Sequence, residues 1–595
     1  MKEISNELEV SHGGDGVVGE DACTKDGSLD RHGKPALKEK TGGWRSGIWI
    51  LMNQGLATLA FASIEVNMVL FGKSVLRQTN ADASNTFSTW MGSVHFFSLI
   101  GAFLSDSYFG RYSTIVIFQV PLIIGLVLLS LSSQYFLLTP PGCGKIGEEC
   151  APPSQHGSIL YYVSIYLIAI GNGAPEPAIA TFGSDQFDEE DPEERQSKTS
   201  FFSYFYVALN LGSLVAETVV VYMGTIMGKW VLGFWISTCC GIVAYVLLLV
   251  GSLRYRHFKP TGNPISRFSQ VIVASIRKIN ADVPSNKEEL FEVHGRESES
   301  GNTRRILHTD GFKFLDRAAI IMPADGLLLL PNESQSPNPW RLCTITQVEE
   351  VKCILRLLPI WVCTIMNSVI FVQMLSLFVE QGAAMETRIL NFHFPPASMT
   401  TFDIVCTSVF ILLYDKLIAP LYTKVIKRNP QPPSELQRMG IGMAISIVAM
   451  ITAAIVEINR LKYAHDGKET ASLSIFWQVP QYVLVGISEA FVFVAQMEFF
   501  ASQSPDGLKS LGMGLCMFSS AIGGYFCSLL LTIVMKITSR NGQPGWVPPN
   551  LNEGHLDRFF FLTASLTALN LGVYTLFARR YKKIVFESRD KETEM

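Results

Sequence analysis

Four glutamates stand inside long apolar runs of this chain: Glu65, Glu176, Glu217 and Glu489. On insertion scales a charge at mid-bilayer costs roughly 2.5 to 3.5 kcal/mol, so a retained carboxylate there suggests a use. Each must be paired, hydrated or protonated. Glu176 sits in Gly171-Asn-Gly-Ala-Pro175-Glu176-Pro177. The two prolines interrupt a helix and free backbone carbonyls. A broken helix beside a carboxylate suits a cation or a proton; the other reading is a kink residue whose carboxylate faces water near the end of its span. Glu65 follows Gln54 by eleven residues, about 20° around an ideal helix and roughly 16 Å along it. His95 offers an imidazole that either titrates near neutral pH or packs as a neutral, hydrogen-bonded ring. No Lys or Arg lies deep in the apolar runs of the first half. An interior of that sign repels a bare anion and attracts cations or protons.

The elements that carry these acids follow from composition. Of 595 residues, 48% are hydrophobic and only 17% are charged, against about 25% charged in soluble domains. Mean hydropathy is +0.26. The apolar runs recur at roughly 20 to 25 residues, enough to cross a hydrocarbon core of about 30 Å. In lipid each segment must satisfy its own backbone, so the runs must be helices. Twelve are expected. Six fall near 47–70, 86–107, 113–137, 158–182, 201–223 and 230–253. Six more fall near 352–377, 398–420, 439–458, 474–500, 510–536 and 557–579. The expected layout is a tail (1–45), a six-helix bundle (46–253), a long polar loop (254–350), a second bundle (351–580) and a tail (581–595). Two such halves around one central site is a transporter plan.

Basic residues near helix ends set the orientation. Arg254, Arg256 and Lys259, then Lys424, Lys427 and Arg428, then Arg579, Arg580, Lys582 and Lys583 all fall on the side of the N-terminus. That side is assigned to the cytoplasm, with the central loop and both tails. The acidic run Asp185–Glu194, and Arg460, Lys462 and Lys468 on the other side, argue weakly against it. Residues 1 to about 40 lack an apolar signal-peptide region. The plasma membrane is the default location and the vacuolar membrane the other. Within the loop, residues 266–279 alternate apolar and basic side chains, as in a helix on the membrane surface or a solvated linker helix. Cys143 and Cys150 share a short polar loop and form a candidate disulfide if that loop faces outside.

The net charge of −4 points away from nucleic acid. No phosphate loop, catalytic Ser/His/Asp spacing or metal cluster is present, so the chain does not read as an enzyme. No cofactor is expected, and the driving force is a proton gradient rather than ATP. The expected partners are a small solute, protons and membrane lipid.

Several runs resemble one family. Gly101-Ala-Phe-Leu-Ser-Asp106-Ser-Tyr-Phe-Gly110-Arg111 resembles the major facilitator loop after the second span, where Asp106 and Arg111 would bridge helix ends at a gate. Phe182-Gly-Ser-Asp185-Gln-Phe-Asp188 and Phe202-Ser-Tyr-Phe-Tyr206-Val-Ala-Leu-Asn210-Leu-Gly212 resemble the proton-dependent oligopeptide transporters. His308 to Ala319, Trp340 to Lys352, Leu358-Pro-Ile-Trp361, Pro395-Pro-Ala-Ser398 and Ser434-Glu-Leu-Gln437 resemble the plant nitrate/peptide branch. The resemblance covers about residues 40–585. It implies the twelve-helix major facilitator fold, alternating access, and solutes such as nitrate, short peptides or hormones.

The chain also departs from that pattern. The first-span Glu-x-x-Glu-Arg motif reads Gln54, Ala57 and Thr58 here, similar to a subfamily that includes nitrate carriers. The fourth-span lysine is replaced by Glu176. The seventh-span histidine of some nitrate carriers is Phe371, and His95 stands where tyrosine is common. Glu489 matches a glutamate that peptide-type members use toward a substrate amine. Phe61, Tyr204, Trp361 and Trp477 are candidate cavity aromatics. Three functions follow. The leading one is proton-coupled transport, with nitrate the family-based expectation. The others are exchange of potassium or another cation for protons, and a solute sensor with little transport.

Overall fold

The computed structural model describes residues 23–24, 26–139, 143, 150–188, 191–258, 263–281, 290–292, 306, 308–322, 338–389, 392–413, 433–464, 468–505 and 509–583. The first half holds α1 (Gly43–Ser74), α2 (Asn80–Leu104), α3 (Arg111–Ser132), α4 (Gln155–Gly173), α5 (Glu176–Ser184), α6 (Pro192–Val215) and α7 (Trp230–Gly251). A connecting helix, α8 (Pro264–Arg277), follows. The second half holds α9 (Ile345–Leu375), α10 (Leu377–Ala383), α11 (Thr401–Leu413), α12 (Glu435–Lys462), α13 (Val479–Gln503), α14 (Lys509–Thr538) and α15 (Leu556–Arg580). α2, α3 and α6 each continue into π-helical turns, at Ser105–Phe109, Ser133–Leu137 and Ala216–Val220.

Among the described residues, 11 helices are long and apolar enough to cross a membrane. A shorter apolar helix, Pro396–Ile411, stands where the eighth span is expected. The part of that expected span beyond Leu413 lies outside the described residues. The helices outrun the expected segments. α1 has 32 residues, about 48 Å by helical rise, because the helix continues past the apolar stretch into polar ends. One short hairpin interrupts the all-helical plan: β1 (Arg388–Ile389) pairs antiparallel with β2 (Phe392–His393).

Several of the motif runs start helices. Thr344 accepts from the Gln347 backbone and Gln347 Oε1 accepts from the Thr344 backbone, both at 3.2 Å. Ser434 and Gln437 repeat this capping box at α12. Each cap contributes about 1 kcal/mol.

Within the first half α1 packs on α6 and α7, and α3 on α4 and α7. Within the second, α12 packs on α13 and α15, and α9 on α15. α2 and α14 form the main seam between halves. Small residues allow it: a Cβ on Gly524 would lie 2.7 Å from the Ser88 carbonyl oxygen.

Direct bonds between the halves gather at the end away from the N-terminal tail. Lys73 meets Glu380 at 3.4 Å. Asn80 donates to the carbonyls of Pro548 and Pro549. Asn85 donates to Thr532, and Ser93 is bonded to Tyr525. Cys143 and Cys150, joined in a disulfide with Cα atoms 4.8 Å apart, follow α3 at this same end.

The tail end is built from ion pairs. Lys38 meets Asp191 at 2.9 Å. Buried Arg256 donates to Glu194 at 2.7 Å and to the Thr41 carbonyl at 3.0 Å. Leu29 pairs with His257, so the tail segment is strapped across the ends of α3 and α7. In the second half, Lys352 Nζ lies 2.6 Å from Asp316 and 2.8 Å from Glu349. All three are buried, and they pin the central segment to α9. α8 buries Val271 and Ala274 against the turn Lys313–Ala319 and α9. Neither expected setting describes it fully: this face packs on protein, while Ile265 and Ile276 stay exposed.

Candidate functional site

The break between α4 and α5 falls where the prolines predict it, at Ala174 and Pro175. α2 packs tightly on that break: a Cβ on Gly101 would lie 1.9 Å from the Ala174 oxygen. Only glycine allows the approach, and it brings Glu176 to α2. Ser98 donates to Glu176 Oε2 at 2.9 Å. His95, one helical turn away, lies within electrostatic reach of Glu176. Its Nδ1 is buried without a hydrogen-bond partner. His95 and Glu176 are therefore neighbours.

Glu65 on α1 is the hub of a wider group. Glu217, Glu176 and Glu489 all act on it electrostatically. The four glutamates of the sequence reading, from α1, α5, the π turn after α6, and α13, thus face one region. Glu217 is buried and is gripped by the second half. Ser398 donates to its backbone carbonyl, and Thr401 to its carboxylate at 3.4 Å. These are neutral donors, which leave the carboxylate's charge uncancelled.

A fifth acid, Asp403 on α11, belongs to the group and was missed in the count of four. It is 5% exposed and lies within electrostatic reach of Glu489 and Glu217. The signal was available, since Asp403 lies within the expected eighth span like the other acids in theirs. No Lys or Arg among the described residues forms a salt bridge with any of the five acids.

Asn210 crosses between halves, donating to Ser408 at 3.1 Å. The Tyr206 hydroxyl shares in that contact. The expected bridge between Asp106 and Arg111 is not what forms. Arg111 pairs with Asp185, because Asp106 lies within the π turn before Gly110 while the end of α5 delivers Asp185 to the guanidinium. Burial pushes the Asp185 carboxyl above its usual value, and Arg111 opposes that. Gln54 donates to Thr58 at 3.0 Å, so the replaced first-span positions satisfy each other.

The aromatic candidates scatter. Phe61 stacks on buried Trp90 at 5.3 Å and is packing. Trp361 donates to the Leu515 carbonyl and stacks on Phe518. Tyr204 and Trp477 are exposed. His308, Asp316 and Glu349 have the spacing of metal ligands, but the Lys352 ammonium already sits between the two carboxylates and supplies the positive charge.

Comparison with known proteins fits this architecture. The model of the POT family matches residues 112–547. Protein NRT1/PTR FAMILY 7.3 of Arabidopsis thaliana is 53% identical over 581 residues, covering 96% of this chain and 94% of that protein. NRT1/PTR FAMILY 7.2 of the same plant is 52% identical, covering 96% and 98%. Among solved structures, an auto-inhibited POT family peptide transporter aligns with a TM-score of 0.67 at 22% identity, covering 92% of this chain and 98% of that one. A POT family transporter in complex with 5-aminolevulinic acid aligns at 0.60 and 13% identity, covering 91% and 98%. The fold is that of the major facilitator transporters, and the chain is a multi-pass membrane transporter of the POT family.

Proposed function

We propose that the chain is a proton-coupled secondary transporter of a small solute. The observation that carries this reading is the group of five acids from both halves, with no cation paired to any of them among the described residues. Glu217 and Asp403 are buried, Glu65 and Glu489 half-buried and Glu176 exposed, and like charges gathered in a partly desolvated site disfavour each other's charged form. Protons must come and go as the site alternates between the two membrane faces. Alternation is supported by the location of the direct bonds between halves, which lie at the far end. We take the tail end to be cytoplasmic, on the charge of its loops, and the membrane to be the plasma membrane.

Nitrate, the expectation drawn from resemblance, enters such a site only with protons that cancel carboxylate charge. Exchange of a cation such as potassium for protons needs no such help. The acid-only lining favours this second reading. Reconstituted proteoliposomes discriminate between them. Nitrate uptake that rises with an inward proton gradient supports symport; potassium flux that drives opposite proton movement supports exchange. If nitrate and potassium flux both ignore the pH gradient, the coupling fails. The orientation has its own test: topology mapping should find Ser300 on the same side as the C-terminal tail.

A further inference from the structure

The outer surface of the second half carries a groove where α9 and α15 meet, with a volume of about 420 Å³. Pro359, Val362 and Cys363 form one wall, and Asn570, Val573 and Phe577 the other. Val362, Val573 and Phe577 are exposed. Asn570 donates to the Cys363 carbonyl at 2.7 Å, which ties the two helices at the end of the groove away from the tail. At the other end α15 stops at Arg580. Arg579, Arg580, Lys582 and Lys583 crowd that end, and all four are exposed. Lys583 meets Glu435 at 3.4 Å. Arg579, Arg580 and Lys582 pair with no acid among the described residues.

Both helices are long and apolar enough to cross the membrane, so lipid is the solvent that covers this groove. We propose that the groove holds an acyl chain of an anionic lipid of the cytoplasmic leaflet, with the headgroup against Arg580 within the basic end. The leaflet follows from taking the tail end as cytoplasmic, and the proposal rests on that reading.

The geometry fits one leaflet. Arg580 follows Phe577 by three positions and Val573 by seven, so it lies on the groove face of α15, at its tail end. By helical rise Asn570 is about 15 Å from Arg580, about half of a hydrocarbon core of roughly 30 Å. The groove therefore runs from headgroup level to about the bilayer midplane. Apolar burial gives the bound chain little advantage, because the surrounding lipid tails are as apolar as the groove. Packing against two walls adds dispersion contacts, but lipids with the same chains share that gain. Charge is what selects. Each Lys or Arg near an anionic lipid surface is worth about fivefold in affinity, and a zwitterionic headgroup offers no net charge to meet it.

The test is native mass spectrometry of the full-length protein in detergent micelles, titrated with phosphatidylserine or phosphatidylcholine carrying identical chains. The wild type should hold phosphatidylserine at least about fivefold more tightly. Arg580→Gln should weaken phosphatidylserine about fivefold and leave phosphatidylcholine unchanged. Val362→Trp fills the groove from an exposed position and should weaken both lipids; Val573→Trp does the same from the other wall. Equal affinity of the wild type for the two lipids overturns the proposal, as does unchanged phosphatidylserine binding in Arg580→Gln. Unchanged binding in both tryptophan variants, or displacement of the lipid by glycerophosphoserine at equal concentration, means that the headgroup sits on surface cations without the groove, and overturns it too. So does a dimer that the tryptophan variants dissolve while the wild type retains no lipid, since the groove is then a contact between copies. Micelles have no leaflets, so these outcomes are independent of the orientation, which mapping of Ser300 tests, and of proton coupling, which the flux measurements test.

Discussion

Two sets of largely desolvated carboxylates in this molecule look alike in sequence and are opposite in setting. At the tail end Asp316 and Glu349 enclose Lys352, and Glu350 meets Arg267 at 3.1 Å. In the central group Glu65, Glu217, Asp403 and Glu489 lie within electrostatic reach of one another and pair with no cation among the described residues. The first set is neutralised by the protein's own cations and holds the central segment in place. The second can be neutralised only by something that arrives from solution. A buried acid with a cation is a fastening; a buried acid without one is a vacancy for a proton or a cargo cation.

The sharpest way to break this comparison is to remove a fastening. Lys352→Met removes the ammonium shared by buried Asp316 and Glu349, leaving Glu349 only Arg356 at 3.7 Å, and should cost about 3 to 5 kcal/mol. Thermal unfolding in detergent should show a much lower midpoint or little folded protein. A midpoint like that of the wild type would mean that charge pairing does not hold this end. Next comes the central group. Glu65→Gln should abolish most proton-driven flux, at least about tenfold or 1.4 kcal/mol, and should not lower stability, since it removes an uncompensated acid. Loss of stability with flux intact would put Glu65 among the fastenings.

Asn210→Ala tests the neutral contacts between halves. Losing its bond to Ser408 should shift the balance between open and closed states by about 1 kcal/mol. The change is readable as altered cysteine accessibility along α6; no change in accessibility would mean that the contact does not bias the halves.

The smallest expected effect concerns the strap. The hydrogen bond to Asp191 holds the Lys38 ammonium above its usual value, and the bond from Lys38 holds the Asp191 carboxyl below its own. The Asp191 contribution is present above the ordinary aspartate value of 3.8 and is lost as pH falls through its lower folded value. The Lys38 contribution is present below 10.5 and is lost as pH rises through its higher folded value. Between those limits proteolysis of the tail segment should be indifferent to pH, while flux through the central group is not. A pH-dependent release of the strap near neutrality would erase that contrast.

Much of this was legible in the residues. Long apolar runs force helices, because lipid offers the backbone no partners. Pro175 and Pro177 fixed the break beside Glu176. The cost of a buried charge marked four of the five central acids, and Asp403 obeyed the same rule unnoticed. The gate pairing was not legible. Arg111 closes on Asp185, 74 residues away, instead of on the nearby Asp106, and local spacing carries no information about which helix end arrives.

The sequence by itself determined the class of molecule, the helical segments and the presence of costly acids in them, since these depend only on transfer from water to lipid along the chain. Only the tertiary structure decided which acids face each other and which find a cation. Lys352 neutralises Asp316 from 36 positions away, while Glu489 comes within electrostatic reach of Asp403 from 86 away. Charge pairing acts over a few ångströms in space, so its pattern appears only once helix packing has set those distances.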